Sequence, residues 1–69
     1  MDNKQSAILI YNKLAAAIAE RAPLETVSML YSCYVLATYS WNKSRAALRL
    51  GIARRTLHRW DCKRALEEV

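Results

Sequence analysis

A single glycine limits what this chain can fold into. Gly51 is the only one among 69 residues. Ala47 lies four residues before it, Ile52 one after, Leu57 six after and Trp60 nine after. That register predicts two short helices joined by a tight turn, a helix-turn-helix. Helices that cross closely need a small residue where they touch, and Ala47 supplies it. The reversal between them often runs through a positive φ, which glycine adopts without steric cost. Ile52, Leu57 and Trp60 would then close a small core behind the second helix. The bland competitor is a helical hairpin with no ligand.

The charges on residues 42–64, NKSRAALRLGIARRTLHRWDCKR, argue for a ligand. Lys43 and Arg45 fall in the first turn of the first helix, and Arg54 and Arg55 in the first turn of the second. A helix N-terminus carries partial positive charge, so each such cation costs about 0.3–1 kcal/mol. Folding alone would favour Asp or Glu there. A polyanion docking at both N-termini accounts for the placement. The chain-wide balance agrees. Net charge is +5, and eight of the eleven basic residues are Lys43, Arg45, Arg49, Arg54, Arg55, Arg59, Lys63 and Arg64. Only Asp61 opposes them before Glu67 and Glu68. This asymmetry points to nucleic acid or an anionic membrane surface.

A chain this short makes one domain, residues 1–69, with a marginal core that usually needs a metal, disulfides or a partner subunit. Cys33 and Cys62 make one bridge at most. The start MDNKQSAILI lacks a basic leader and a long apolar run, so no secretory signal is expected. Two reduced thiols in a cytoplasm follow from that reading.

In chain order, Met1 to Ser6 reads as polar and frayed, and Ser6 as the cap of a helix from about Ala7 to Ala22. Ala7, Tyr11, Leu14 and Ile18 recur on one face. Pro23 is expected to break this helix and to suit the start of the next. The second helix, from about Leu24 to Ser40, carries no charge after Glu25. Val27, Leu30, Tyr31, Tyr34, Ala37, Thr38 and Trp41 mark one face, and Met29, Cys33 and Leu36 another. A helix apolar on more than one side must be buried on more than one side. A second copy of the chain is the simplest cover. A membrane span is the competing reading, but Thr26, Ser28, Ser32, Thr38, Ser40 and three tyrosines argue against it. Asn42 is a good N-cap for a third helix, Lys43 to Leu50. A fourth is expected from Arg54 to at least Lys63, with Leu57, Trp60 and Arg64 on one side. Arg55, His58, Arg59 and Cys62 fall on the other.

The run NKSRAALRLGIARRTLHRW closely resembles the C-terminal helix-turn-helix of the Fis family (factor for inversion stimulation), a module that also ends the nitrogen-regulator type of enhancer-binding activators. The carrying residues are Asn42, Arg45-Ala46-Ala47, Gly51-Ile52, Arg54, Thr56-Leu57 and Arg59. Over Ala7 to Trp41 the likeness is only architectural. The resemblance implies an all-α, four-helix Fis-like protomer in an intertwined homodimer. Residues 7–41 would dimerise and residues 42–64 would hold DNA. It implies that Arg54, Thr56 and Arg59 meet bases or phosphates and that Asn42 reaches the DNA backbone. Fis dimers set their recognition helices closer than one DNA turn, so sequence would be read partly through deformability. Two departures stand out. Ala53 replaces the usual capping Ser or Asn, and Trp60, Asp61 and Cys62 interrupt the basic run. The family's N-terminal β-hairpin arms have no room, which speaks against a recombinase-stimulating role.

The expected DNA-binding residues are therefore Asn42, Lys43, Arg45, Arg54, Arg55, Thr56, His58, Arg59 and Lys63. Arg54 and Arg59 are the best candidates for a bidentate fork to guanine or phosphate. Thr56 suits a thymine methyl or a phosphate. Lys43, Arg45 and Lys63 suit phosphates more than bases, and Arg49 reads as a solvated position. The expected dimer interface is Leu14, Ile18, Val27, Leu30, Tyr31 and Tyr34. His58 and Cys62 are four residues apart, but two ligands do not close a metal site. No catalytic constellation and no cofactor motif occurs. The leading reading is a small sequence- and shape-reading double-stranded DNA-binding protein of a bacterium or phage. It would be a transcriptional regulator or nucleoid-associated factor, cytoplasmic, in contact with the transcription machinery or another regulator. The alternative is an interaction module whose helix 24–40 binds a different chain, with the basic hairpin incidental or RNA-facing. A membrane-associated protein with a basic tail is third.

Overall fold

The computed structural model describes residues 3–60 and 62. Four helices succeed one another: α1 (Asn3–Ala19), α2 (Leu24–Thr38), α3 (Lys43–Leu50) and α4 (Arg54–His58). No strand occurs among the described residues. The fold is all-α, as the periodicity implied, but the helix boundaries differ in informative ways.

α1 is already helical at Asn3, so the expectation of a frayed start through Ser6 is corrected. Asn-Lys-Gln-Ser contains no breaker, and Ser6 is not a cap. It lies within the helix and is buried one turn before Ile10. The helix ends at Ala19, before Pro23 can act. Arg21 takes a positive φ of 55°. Its N–H donates to Ile18 O (3.1 Å) and that of Ala22 to Ala17 O (2.9 Å). These two bonds form a Schellman ending, which satisfies carbonyls the last turn leaves open. Pro23 then leads α2 with φ −55° and ψ 148°, and its carbonyl accepts from Val27 N–H at 3.2 Å.

α2 stops at Thr38 by the same device, two residues short of the predicted Ser40. Ser40 has φ 57°; its N–H donates to Ala37 O (3.2 Å) and that of Trp41 to Leu36 O (2.9 Å). α3 matches its predicted bounds. Asn42 Oδ1 accepts from Arg45 N–H at 3.1 Å, a side-chain cap.

Two clusters hold these helices. Leu14 and Ala17 of α1 meet Leu30 of α2, with Ala22, Val27 and Met29 at the edge. The larger cluster joins Ile10, Cys33, Val35, Leu36, Ala37, Ala46, Ala47, Leu57 and Cys62. It draws on all four helices, and α2 runs through its middle. The apolar pattern of α2 made a second copy of the chain its simplest cover. The structure corrects this: α1 and α3 cover much of it, burying Leu30, Ser32, Cys33, Val35, Leu36 and Ala37. Leu14 and Leu30, expected at a dimer interface, sit inside the protomer. What stays open is a stripe on α1, with Ile8, Tyr11, Ala15 and Ile18 all exposed, and Leu24 and Tyr31 on α2. Val27 and Tyr34 are half-buried beside it, and the Tyr11 and Tyr34 rings meet at 5.9 Å. No helix among the described residues is long and apolar enough to cross a membrane.

Candidate nucleic-acid interface

The hairpin of α3 and α4 is built around three small or apolar contacts. Ala46 and Ala47 are buried on α3, and Leu57 on α4 is fully enclosed at 0% exposure. Ile52 and Trp60 pack half-buried against the same cluster. The alanines let the two helices approach, and Leu57 fills the space behind them. Between the helices Gly51 takes φ 73° and ψ 29°, the left-handed region. Its N–H donates to Leu48 O (3.3 Å), and Ile52 N–H donates to Ala47 O (3.1 Å). This Schellman ending repeats those of α1 and α2, but here the left-handed residue is glycine. The predicted turn and the predicted core residues are thus as the register required.

α4 is shorter than expected. It has five residues, not ten, and its N-cap Ala53 makes no side-chain cap bond. After His58 the bonding tightens: Arg59 N–H reaches Thr56 O and Trp60 N–H reaches Leu57 O, each at 3.3 Å. Such i→i+3 bonds narrow the last turn and rotate the residues beyond it. The chain is helical again at Cys62. On one continuous helix, His58 and Cys62 would share a face. Here His58 is exposed while Cys62 is 4% exposed. The expected place of Cys62 on the outer face is therefore corrected, because periodicity was counted through a break.

Cys62 is buried against Cys33 of α2, and the two form a disulfide with Cα atoms 5.4 Å apart. The expectation of two reduced thiols is corrected by this bond. Sequence spacing carried no signal for it, since the two residues are 29 apart and lie on segments whose relative rotation the broken helix decides.

Most of the expected contact residues lie open on this hairpin. Arg54, Arg55, His58 and Arg59 are exposed along α4 and its end, and Thr56 is half-buried. On α3, Arg45 and Arg49 are exposed and Lys43 is half-buried. Neither helix has an acidic residue in its first turn. Asn42 is exposed, but its Oδ1 is engaged in the cap. Lys63 and Arg64 lie outside the described residues. One contact was missed by sequence reasoning. Lys43 Nζ, from the start of α3, stands 3.0 Å from His58 Nδ1, at the end of α4. An ammonium can only donate, so in this contact His58 Nδ1 is the acceptor. The two residues tie opposite ends of the hairpin together across its basic face. No group of three or more His, Cys, Asp or Glu among the described residues is placed to hold a metal.

Residues 34–59 match the family model described as bacterial regulatory protein, Fis family. The match starts inside α2, takes in α3 and the Gly51 turn, and ends just after α4. α1 and the first part of α2 lie outside it. No curated protein and no solved structure matches the chain. Arg45-Ala46-Ala47, Gly51-Ile52 and Thr56-Leu57, which carried the resemblance, all fall within the matched segment; of these, Ala46, Ala47 and Leu57 are buried in the core and Gly51 makes the turn. Over residues 34–59 the chain is thus similar to the Fis family of bacterial regulatory proteins, and that segment folds as a helix-turn-helix.

Proposed function

We propose that the protein binds double-stranded DNA as a homodimer, with α4 entering the major groove, and acts at the nucleoid in the cytoplasm as a transcriptional regulator or architectural factor. One observation carries this reading. The short hairpin exposes Arg45, Arg54, Arg55, His58 and Arg59, with no acidic residue in either first turn. Arg54 and Arg59 are the base or phosphate forks, and Thr56 lies between them. Arg45, Lys43 and Lys63 serve phosphates, and Asn42 contributes through the helix end that it caps. Arg55 and His58 flank the groove. DNA deformability supplies part of the specificity.

The homodimer is supported by the open apolar stripe. Ile8, Tyr11, Ala15 and Ile18 follow i, i+3, i+7, i+10 spacing, the pattern of a helix that meets another helix. Ile18 and Tyr31 are 59% and 51% exposed, and Val27 and Tyr34 border them. Sedimentation should give the mass of a dimer, and Ile18→Asp should give a monomer. A wild-type monomer at micromolar concentration would reject the pairing.

Binding to duplex DNA is tested by its salt dependence. If roughly six basic side chains per dimer each displace a counterion, affinity should fall about a thousandfold from 50 to 200 mM salt. A flat response, or no binding in dilute buffer, would reject the reading.

A further inference from the structure

The disulfide brackets the DNA-binding segment. The Fis-type match covers residues 34–59, and the bridge joins Cys33 to Cys62. The covalent loop therefore starts one residue before the module and closes three residues after it. Inside the loop, α4 is the weakest element. It has five residues and no side-chain cap, and a helix so short has no stability of its own. Leu57 is its only fully buried side chain. The bridge anchors the chain just beyond α4 to α2, the helix through the centre of the core.

We propose that the Cys33–Cys62 pair is a redox latch on the recognition helix, closed as the disulfide and open as the dithiol. This rests on the DNA-binding reading. A protein that works on nucleoid DNA works where thiols are kept reduced, and disulfides in such compartments are mostly transient and redox-sensing. The geometry nonetheless brings this pair within bonding range, since disulfides need Cα atoms about 4.4–6.8 Å apart and these are 5.4 Å apart. Opening proceeds by thiol–disulfide exchange with a cellular thiol. An external thiolate attacks one sulfur, the Cys33–Cys62 bond breaks, and the other sulfur leaves as thiolate. A second external thiolate attacks the sulfur of the first, releasing the remaining protein sulfur as thiolate and joining the two external sulfurs. The protein gains two electrons and two protons, and the reductant becomes a disulfide. Closing is the reverse, with a low-molecular-weight disulfide as oxidant. Cys33 and Cys62 are both buried, so exchange requires the end of α4 to lift first. The latch then holds Arg54, Arg55 and Arg59 in one pose when closed and lets them fluctuate when open.

The test uses the full chain in both redox states, verified by maleimide labelling and mass. Duplex affinity is measured for each, and amide exchange is followed over residues 54–60. The expected result is a tenfold or larger loss of affinity on reduction with dithiothreitol, reversed by oxidised glutathione, with faster exchange confined to that segment. The Cys33→Ala/Cys62→Ala variant should bind like the reduced protein in both buffers. If it fails to fold, Cys62→Ala alone should do so. Equal affinity of the two verified states would overturn the latch and leave DNA binding intact. So would failure of the two cysteines to pair under glutathione disulfide. If neither state binds duplex, the DNA-binding reading falls and the latch with it.

Discussion

Replacing Gly51 by alanine should destabilise the fold by up to about 1.6 kcal/mol, and the size is informative. Gly51 sits at φ 73°. An L-residue with a Cβ costs roughly 1–2 kcal/mol in that region. A Cβ built there meets nothing within 4 Å, so no overpacking adds to the cost. Alanine also restricts the unfolded chain, which returns about 0.4–1 kcal/mol. The difference is a modest net loss. Gly51→Asn should lose less, because asparagine tolerates the left-handed region better than other side chains. The opposite change should help at the two other helix ends. Arg21 and Ser40 adopt the same conformation with φ 55° and 57°, so Arg21→Gly and Ser40→Gly should each be neutral or stabilising by up to about 1 kcal/mol. The assay is urea denaturation of the oxidised protein followed by circular dichroism, reading the midpoint at constant slope. A loss above about 2 kcal/mol for Gly51→Ala would mean that something touches that site. Destabilisation by both glycine substitutions would refute the shared-ending argument.

Four further outcomes are expected. Leu57→Ala should cost about 2–5 kcal/mol, since the side chain is fully enclosed; denaturant midpoints measure it, and a loss below about 1 kcal/mol would place Leu57 outside the core. Asn42→Ala should cost about 1 kcal/mol by removing the acceptor for Arg45 N–H, whereas Asn42→Asp should keep the cap and the stability. Reducing the disulfide should cost about 3–4 kcal/mol, from the chain-entropy relation for a separation of 29 residues; unchanged melting of verified dithiol would contradict it. Arg59→Ala should weaken a selected site by about 1–3 kcal/mol more than it weakens random duplex, while Lys43→Ala weakens both alike. Equal losses across sequences for Arg59→Ala would remove it from base reading.

The helix-turn-helix was legible because its constraints are local. Gly51, Ala47, Ile52, Leu57 and Trp60 lie within fourteen residues, and each is set by a backbone angle or a close contact that few residue types satisfy. Asn42 and the bounds of α3 followed from capping chemistry for the same reason. The helix ends at Ala19 and Thr38 were less legible. Arg21 and Ser40 hold a conformation usually reserved for glycine, and nothing in either side chain announces it. Tertiary packing selects these endings, because the turns they make bring α1, α2 and α3 together. Coverage of α2 was misjudged for a related reason. Periodicity shows that a helix is apolar on several sides, but not how many neighbours its own chain can fold back to supply.

The placement of the cysteines shows where periodicity stops working altogether. A count of 3.6 residues per turn carried from Arg54 sets Cys62 beside His58, on the outer face. Two bonds of the tighter type, at Arg59 and Trp60, are enough to turn that position inward. The consequence is not confined to one residue. An unbroken helix through residue 62 would place Cys62 on the exposed outer face beside His58 and leave Cys33 without a partner in reach. The break shortens α4 to five residues and at the same point delivers the sulfur that can secure it. A short helix and a buried sulfur thus come from one local event, and the basic face and its anchor should be lost together. Trp60→Ala, which removes a half-buried ring packed against the core at the bend, should expose Cys62 to maleimide in the reduced protein and weaken duplex binding. Faster labelling with unchanged binding would separate the two and show that the anchor does not govern the face.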